Sequence, residues 1–411
     1  MAQPLKYRKF KQLDIDKLAA TLASLTTINS VRQFLRQHFD RGFRTALAAS
    51  HPEFFLFYYL GFRLPAHQRR WIALWRTVKY LLELAPRDHG KSWIFNYGLP
   101  LQEVYASYVR SGFKSVTARI LSLTKTDTQA DKFSNQIRET IERNTYLNED
   151  FGDIVDRKYW LKDHFRCKRS LVDAVEKDWT YEKCGILGAI TGGHQDRIIG
   201  DDCLDDENTK TVDRMDTLSA WFWGTVWNMR EVYTRFSFVG TRKNRRDLYS
   251  EFLANPVWKA NVERAIIKYP MIPDPDKPGA EKQGWRYITS RKRVIDTPPE
   301  LRLGEEIVDV ELLTDDHIVL WPSEPAFDND GKPELDPDTG LQKVFGWGIK
   351  ELLLDRAASG PLYFDREKQN NISSTEGVIF DRTWWRFFAT EELFFNPTDS
   401  CVYLNPSAIG L

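Results

Sequence analysis

The stretch Leu84-Ala85-Pro86-Arg87-Asp88-His89-Gly90-Lys91-Ser92 decides the fold predicted for this chain. It ends the apolar run at residues 78–84 and precedes residues 93–97, which suit a helix. In a strand, loop and helix of this order, backbone N–H groups and the helix N-terminus surround one anion site. Lys91 can then reach the β- and γ-phosphates of a nucleotide, and the Ser92 hydroxyl can ligate Mg²⁺. Residues 85–92 are therefore predicted to be an ATP-binding phosphate loop; the alternative is a surface turn that contains GKS by chance.

The phosphate loop departs from the usual pattern G-x-x-x-x-G-K-[ST] at one position, because Ala85 stands where the first glycine is expected. Alanine permits close approach of a ligand but lacks the freedom of glycine at positive φ. Gln68, in a helix that opens near Pro65, is a further candidate that would contact the adenine edge, or else an ordinary surface or capping glutamine. The loop residues predicted to bind the nucleotide are Ala85, Asp88, His89, Gly90, Lys91 and Ser92.

An apolar run that ends in acids, residues 197–202, is the second motif. It places carboxylates at the carboxyl end of a strand, where ligands of open α/β sheets bind. Asp201 is the better candidate for Mg²⁺, and Asp202 for orienting the attacking water. Glutamate is usual in the second position, so Asp202 is one methylene short. The assignment could shift to the acids that follow, and an acidic solvated turn is the alternative. Those acids are Asp205, Asp206 and Glu207.

The length of 411 residues, with 42% hydrophobic residues, is enough for a large core and for one large domain with appendages. No apolar run approaches the length of a membrane span, and the first 16 residues lack the apolar segment of a signal peptide. The four cysteines form no C-x-x-C pair, so we expect reduced thiols in a cytosolic protein and no zinc site. They are Cys167, Cys184, Cys203 and Cys401.

Charge is unevenly distributed along a chain whose formal net charge is zero. Residues 1–80 hold 14 Lys/Arg and 4 Asp/Glu, whereas residues 305–340 hold 1 Lys/Arg and 12 Asp/Glu. A basic N-terminal part can bind a polyanion or an acidic partner. Alternatively, the two segments neutralise each other within the fold.

Short apolar strands alternate with helical segments, which predicts an α/β fold with a mainly parallel sheet flanked by helices on both faces. The clearest strands are residues 119–124, 196–202 and 235–239, and the clearest helix is residues 125–143. The predicted divisions are a helical N-terminal segment at 1–60, a nucleotide-binding core at 61–265, an irregular subdomain and linker at 266–375, and a final segment at 376–411.

Taken in order, these motifs resemble the large subunit of the terminase of tailed bacteriophages, an ATP-driven motor that packages DNA into a capsid. The resemblance covers about residues 60–405 and includes an arginine inside the phosphate loop, Arg87. Gly240-Thr241-Arg242 looks like the family's third motif, which couples hydrolysis to movement. The other matching segments are residues 85–92, 123–126 and 198–208, and residues 320–322 and 364–371, which look like the passage between motor and nuclease.

The resemblance implies a P-loop NTPase fold of the ASCE type, with ATP and Mg²⁺ as ligands. It implies catalytic roles for Asp202, Arg87 and Thr241, since a guanidinium can stabilise charge on a transferring phosphoryl group. The implied partners are double-stranded DNA, the portal protein, the small terminase subunit and further copies of this chain in a ring, with no membrane. In such a ring an arginine can come from a neighbouring subunit, and Arg138 and Arg143 are the candidates. The implied location is the bacterial host cytoplasm, with transient attachment to the procapsid portal.

The final segment departs from the family pattern. Residues 402–407 look like the first strand of the family's ribonuclease-H-like nuclease domain, with Asn405 in place of a metal-binding aspartate. A neutral amide is a poor substitute for a carboxylate on Mg²⁺. We therefore expect the motor part, the start of a truncated nuclease domain at 376–411, and no DNA cleavage. The alternatives are a helicase-like DNA-dependent ATPase and an assembly or docking module with little activity alone.

Overall fold

The computed structural model describes residues 27–169, 178–190, 193–298, 305–372, 393–396 and 401–404. The chain divides into two compact units, Met1–Ile372 and Ser373–Leu411. In the first unit the predicted α/β class is confirmed, because helices flank an eight-stranded and mostly parallel sheet. In the second unit, β18 (Leu393–Asn396) and β19 (Cys401–Leu404) form an antiparallel hairpin. Asn405 lies outside the described residues.

The main sheet has the strand order β3-β4-β5-β2-β6-β7-β1-β8. Its strands are β1 (Tyr80–Leu84), β2 (Ile120–Thr124), β3 (Val155–Trp160), β4 (His164–Cys167), β5 (Tyr181–Gly185), β6 (Gln195–Asp201), β7 (Arg230–Gly240) and β8 (Lys259–Val262). In this order, each of the six strands β5, β2, β6, β7, β1 and β8 is parallel to the next. β3 and β4 form an antiparallel extension at one edge. Leu84 is paired with Gly240, and Thr124 with Asp201, so four strands end at the same edge of the sheet.

The helices cover both faces of the sheet because successive residues of its strands point to opposite faces. Leu81 of β1 belongs to one apolar core, which also contains Trp71. Leu82 belongs to the other core, together with Phe222. The helices are α1 (Ile28–His38), α2 (Arg41–Ser50), α3 (Pro52–Tyr58), α4 (Ala66–Thr77), α5 (Leu99–Arg110), α6 (Asp127–Arg143), α7 (Thr145–Phe151), α8 (Val212–Trp221), α9 (Leu248–Ala254), α10 (Ile349–Ser359) and α11 (Pro361–Gln369).

The long helix and the predicted strands other than β7 agree with the structure to within a few residues, because local signals define their ends. The helix predicted at residues 125–143 is α6, and the Thr126 hydroxyl caps it by accepting a hydrogen bond from the Gln129 N–H at 3.2 Å. After Ser92 the chain continues as a π-helical segment, Trp93–Gly98, which leads into α5. A second π-helical segment, Phe222–Val226, and a 3₁₀ turn, Trp227–Met229, connect α8 to β7.

The region after β8 consists of short strands that pair antiparallel, and of the two helices α10 and α11. A third apolar core joins its strands to these helices through residues such as Trp285, Tyr287, Leu352 and Phe364. The strands are β9 (Ile266–Lys268), β10 (Met271–Pro273), β11 (Glu281–Gln283), β12 (Trp285–Thr289), β13 (Val294–Ile295), β14 (Ile307–Leu312), β15 (Ile318–Val319), β16 (Glu324–Pro325) and β17 (Val344–Phe345).

The acidic segment contacts the described part of the basic N-terminal region. The Asn29 N–H donates to the backbone oxygen of Asn329 at 3.0 Å, and the Asn29 side chain donates to Asp330 at 2.6 Å. Arg63 donates to the backbone oxygen of Asp328 at 3.3 Å. None of these three contacts pairs two charged side chains, so both interpretations of the uneven charge distribution stay predictions.

Among the helices that the structure describes, every one is too short or too polar to cross a lipid bilayer.

Candidate functional site

Residues 85–92, the predicted phosphate loop, follow β1 and have a backbone conformation that depends on glycine. Gly90 has a φ of +83°, which side chains other than glycine rarely adopt. A Cβ atom at Gly90 would also lie 2.6 Å from Nε2 of Gln68. Asp88 has a positive φ of +66° as well, so two positions of the phosphate loop are left-handed. The loop therefore needs Gly90 for both its backbone angle and the close approach of Gln68.

Ala85 occupies the position of the expected first glycine, and its backbone conformation does not require glycine. Its N–H donates to the backbone oxygen of Gly240 at 3.2 Å, which continues the pairing of β1 with β7. Ala85 is fully buried, and its φ is not positive. The departure from the usual pattern is thus explained, because the chain is still sheet-like at this position.

Lys91 is only 5% exposed. Its ammonium group donates to the backbone oxygens of Ala85 and Pro86, each at 3.2 Å. The side chain thus folds back toward the start of the phosphate loop, so its charge is held at the loop. An anion that enters the loop would meet this ammonium group.

Ser92 and Asp201, which were predicted as the two protein ligands of Mg²⁺, are brought together. The Ser92 hydroxyl donates to Oδ1 of Asp201 at 3.0 Å, and the Asn96 side chain donates to Oδ2 at 3.3 Å. Burial, and to a lesser extent the neighbouring charge of Asp202, raises the pKa of the Asp201 carboxyl. Hydroxyl and carboxylate oxygens are ligands that Mg²⁺ prefers, and those of Ser92 and Asp201 lie side by side. The residues present therefore fit the ion.

Asp202 lines a cleft of about 460 Å³ together with Arg87, Lys91 and Thr241. We call this the loop cleft; its wall is completed by Lys125, Gln129, Leu204, Asp205, Asp206, Glu207, Lys243, Tyr363 and Glu367. Asp202 has a positive φ of +45°, and its N–H donates to the backbone oxygen of Val239 at 3.0 Å. The structure therefore gathers the three predicted catalytic residues and Lys91 in one cleft.

The acids after Asp202 are already paired with cations. Asp205 forms an ion pair with Lys125. Asp206 forms one with Arg366 at 3.0 Å. Glu207 forms an ion pair with Arg214. These pairs favour Asp202 over its neighbours as the carboxylate that faces a ligand in the loop cleft.

Gln68 and His89, both predicted to bind the nucleotide, contact each other inside the protein. The Gln68 side chain donates to the backbone oxygen of His89 at 3.2 Å. His67 lies 3.3 Å from the same oxygen. The rings of His67 and His89 both pack on Trp321, with centroids 5.4 Å and 6.0 Å away. In this structure Gln68 braces the phosphate loop through its amide nitrogen.

Helix α11 reaches the phosphate loop, which the sequence did not indicate. The N–H of Arg87 donates to the backbone oxygen of Glu367 at 2.9 Å. The Glu367 carboxylate, 2% exposed, accepts from Lys243 at 2.5 Å and from the Thr241 hydroxyl at 3.5 Å. Lys368 forms an ion pair with Asp88 at 2.9 Å. α11 therefore connects the phosphate loop to the segment that follows β7.

The available signal for α11 was the dense run of charges at residues 364–371, which the resemblance to terminases assigns to the passage between motor and nuclease. No local pattern distinguishes a buried ion pair from a solvated one, so Glu367 and Lys368 were not predicted as site residues. Their burial in the fold is the observation that identifies them.

Arg138 and Arg143, the candidates for an arginine that acts in a neighbouring subunit, lie on α6 and outside the wall of the loop cleft. The Arg138 guanidinium lies 5.6 Å from the centroid of the Trp160 ring. Arg143 is exposed in the last turn of the helix. Their assignment stays a prediction.

Comparison of the chain with models of known protein families and with curated proteins gives no match. In the part of the chain that the structure describes, no group of three or more His, Cys, Asp or Glu side chains is placed to hold a metal ion. The site is therefore characterised by its own geometry: the predicted phosphate loop, the Ser92–Asp201 pair, and the loop cleft, which Lys91, Asp202 and Thr241 line.

Proposed function

We propose that this chain is an ATP-hydrolysing motor subunit that moves double-stranded DNA into a viral procapsid, as the large terminase subunit does. The observation that carries the nucleotide part is the 3.0 Å contact between Ser92 and Asp201 beside the phosphate loop. The DNA part rests on the order of motifs in the sequence and on the position of Thr241, where the third motif of terminases is expected.

In this proposal, the substrate is ATP and the loop cleft is its site. Lys91 and the backbone N–H groups of the phosphate loop would hold the phosphates. Ser92 and Asp201 would hold Mg²⁺, which neutralises phosphate charge when bound. Asp202 would orient the attacking water by accepting its hydrogen bond, and the Arg87 guanidinium would stabilise negative charge on the transferring group.

Thr241 and Glu367 give the loop cleft a connection to the rest of the chain. Thr241 follows β7, which lies between β1 and β6 in the sheet, so it stands between the phosphate loop and the acids. Its hydroxyl contacts Glu367 of α11. Binding or release of a ligand in the loop cleft would therefore change the contacts of α11, which is the coupling that a motor needs.

The test is ATP turnover by the purified chain with and without double-stranded DNA. We expect magnesium-dependent hydrolysis that DNA accelerates. If the rate of hydrolysis were the same with and without DNA, the motor part of the proposal would be wrong and an ATPase would remain. Absence of both ATP binding and hydrolysis would reject the nucleotide part and favour an assembly or docking module.

A further inference from the structure

A second cleft, of about 370 Å³, lies near the first residues of β6, away from the edge of the sheet that carries the phosphate loop. We call it the arginine cleft. Two carboxylates, those of Glu103 and Asp196, contribute to its wall. Four guanidinium groups also line it, so cations outnumber anions and the field favours a negatively charged ligand. The four are those of Arg76, Arg110, Arg197 and Arg235.

Arg197 is the unusual member of this group, because it is only 5% exposed. Its Cζ atom lies 3.8 Å from the centroid of the Trp75 ring. Its Nη1 atom is buried and has no hydrogen-bond partner among the described residues. Burial lowers the pKa of this guanidinium to about 10, which still leaves it charged at neutral pH. A buried, charged N–H group without a partner is unfavourable, so Arg197 would gain from a hydrogen-bond acceptor in the arginine cleft.

The ion pair of Arg197 with Glu103 does not supply such an acceptor. Nη2 of Arg197 lies 3.7 Å from Oε2 of Glu103, beyond the range of a good hydrogen bond. Glu103 is also engaged by Arg110, whose Nη2 donates to Oε1 at 3.1 Å. Glu103 is therefore shared by two arginines and leaves an excess of positive charge in the arginine cleft.

Packing alone does not require an arginine at this position. A methionine could lie on the Trp75 ring without the cost of burying a charge. What arginine adds is a planar set of N–H donors that matches the oxygens of a phosphate group. The arginine cleft also adjoins a groove that shares Glu103, Arg110 and Asp196, which leaves room for a group attached to the phosphate.

We propose that the arginine cleft binds a small phosphate-bearing molecule, whose phosphate oxygens accept hydrogen bonds from Arg197 and Arg110. Because Arg197 is almost completely buried, the phosphate must enter on a narrow molecule and not on the flank of a duplex. This proposal shares no residue with the loop cleft and holds whether or not the chain hydrolyses ATP.

The experiment uses the full chain with Lys91→Ala, so that the phosphate loop does not contribute to phosphate binding. Pyrophosphate is titrated by calorimetry at an ionic strength held constant with chloride. We expect saturable binding that weakens at least ~10-fold when Arg197→Met is added, because a bidentate charged contact is lost. Arg230→Met is the matched control, since Arg230 is exposed, lies 4.3 Å from the centroid of the Trp227 ring and is not part of the arginine cleft.

A second variant keeps the test valid if Arg197→Met fails to fold. Arg110→Met changes an exposed residue at the rim of the arginine cleft and should also weaken pyrophosphate binding. Short duplex DNA is the third arm: competition with pyrophosphate that depends on Arg197 would contradict a small ligand and show that a duplex occupies the arginine cleft. Pyrophosphate binding that is absent in Lys91→Ala, or unchanged by both arginine variants, would overturn the proposal.

Discussion

The ammonium group of Lys368 lies 2.9 Å from Oδ2 of Asp88, although 280 positions separate the two residues. Lys368 also donates to the backbone oxygen of Arg87 at 3.2 Å and lies 3.9 Å from the centroid of the Trp347 ring. Burial disfavours the charge of Asp88, but the hydrogen bond and charge of Lys368, together with the charges of Arg87 and Lys91, outweigh this effect and lower the pKa of Asp88. α11 thereby holds the phosphate loop at one of its left-handed residues.

We predict that Lys368→Met loosens the phosphate loop. The change removes the cation that pairs with Asp88, so the free energy of unfolding should fall by about 1–2 kcal/mol. Nucleotide affinity should fall about 10-fold because the loop is less well organised before it binds. Chemical denaturation and binding of a fluorescent ATP analogue measure the two effects.

The matched control is Lys350→Met, which removes an exposed lysine that pairs with Asp309 at 3.4 Å. An exposed pair contributes little to stability. If both lysine variants behaved alike in nucleotide binding, α11 would have no part in organising the phosphate loop.

We predict that Lys91→Ala reduces ATP turnover at least ~100-fold, which is the scale for loss of one main electrostatic stabiliser. The ammonium group that is held at the phosphate loop would be missing when the phosphates enter. Steady-state turnover of the purified variant measures the effect. Turnover close to that of the unaltered chain would reject the phosphate-loop assignment.

Asp201 and Asp202 should differ in phenotype. Asp201→Asn removes the carboxylate that contacts Ser92, so magnesium-dependent nucleotide binding should weaken. Asp202→Asn should leave binding intact and slow cleavage, because its carboxylate faces the loop cleft. Binding and single-turnover measurements on both variants separate these outcomes. Two harmless substitutions, with Asp205→Asn or Glu207→Gln severe, would show that the catalytic acid lies further along the chain.

The strands and helices of the core could be predicted because their signals are local. Thr126 caps α6 within three residues, and β6 is a continuous buried run that ends in acids. β7 was predicted too short, at residues 235–239 instead of Arg230–Gly240. Its first part is mostly exposed, with the neighbours Val232 and Tyr233 both exposed, so the rule for buried strands detects only its second half.

The candidate site was predictable only where it is local in the chain. The phosphate loop and the acids after β6 are short motifs, and a parallel sheet brings the carboxyl ends of its strands to one edge. The contribution of α11 depends on the pairing of residues nearly three hundred positions apart, for which one sequence holds no signal. The burial of Arg197 could not be predicted either, because it depends on the packing of Trp75 against β6.

We predict that acid destabilises the phosphate loop through His67 and His89. Burial lowers the pKa of His89 to about 3 and that of His67 to about 4, both below the ordinary value near 6.5. A histidine with a lowered pKa stabilises the fold fully above its unfolded pKa, and this contribution is lost as the pH falls toward the folded value. At pH 5 each histidine should therefore cost about 2 kcal/mol relative to pH 7.

Urea denaturation at pH 7 and pH 5 measures this loss. The variant with His67→Gln and His89→Gln lacks both titrating rings, so it should lose less stability between the two pH values than the unaltered chain. His51→Gln, which changes an exposed histidine, is the control and should leave the pH dependence unchanged. An equal loss in all three proteins would mean that other groups, such as carboxylates in ion pairs, govern the acid response and that the two buried rings stay neutral without consequence for stability.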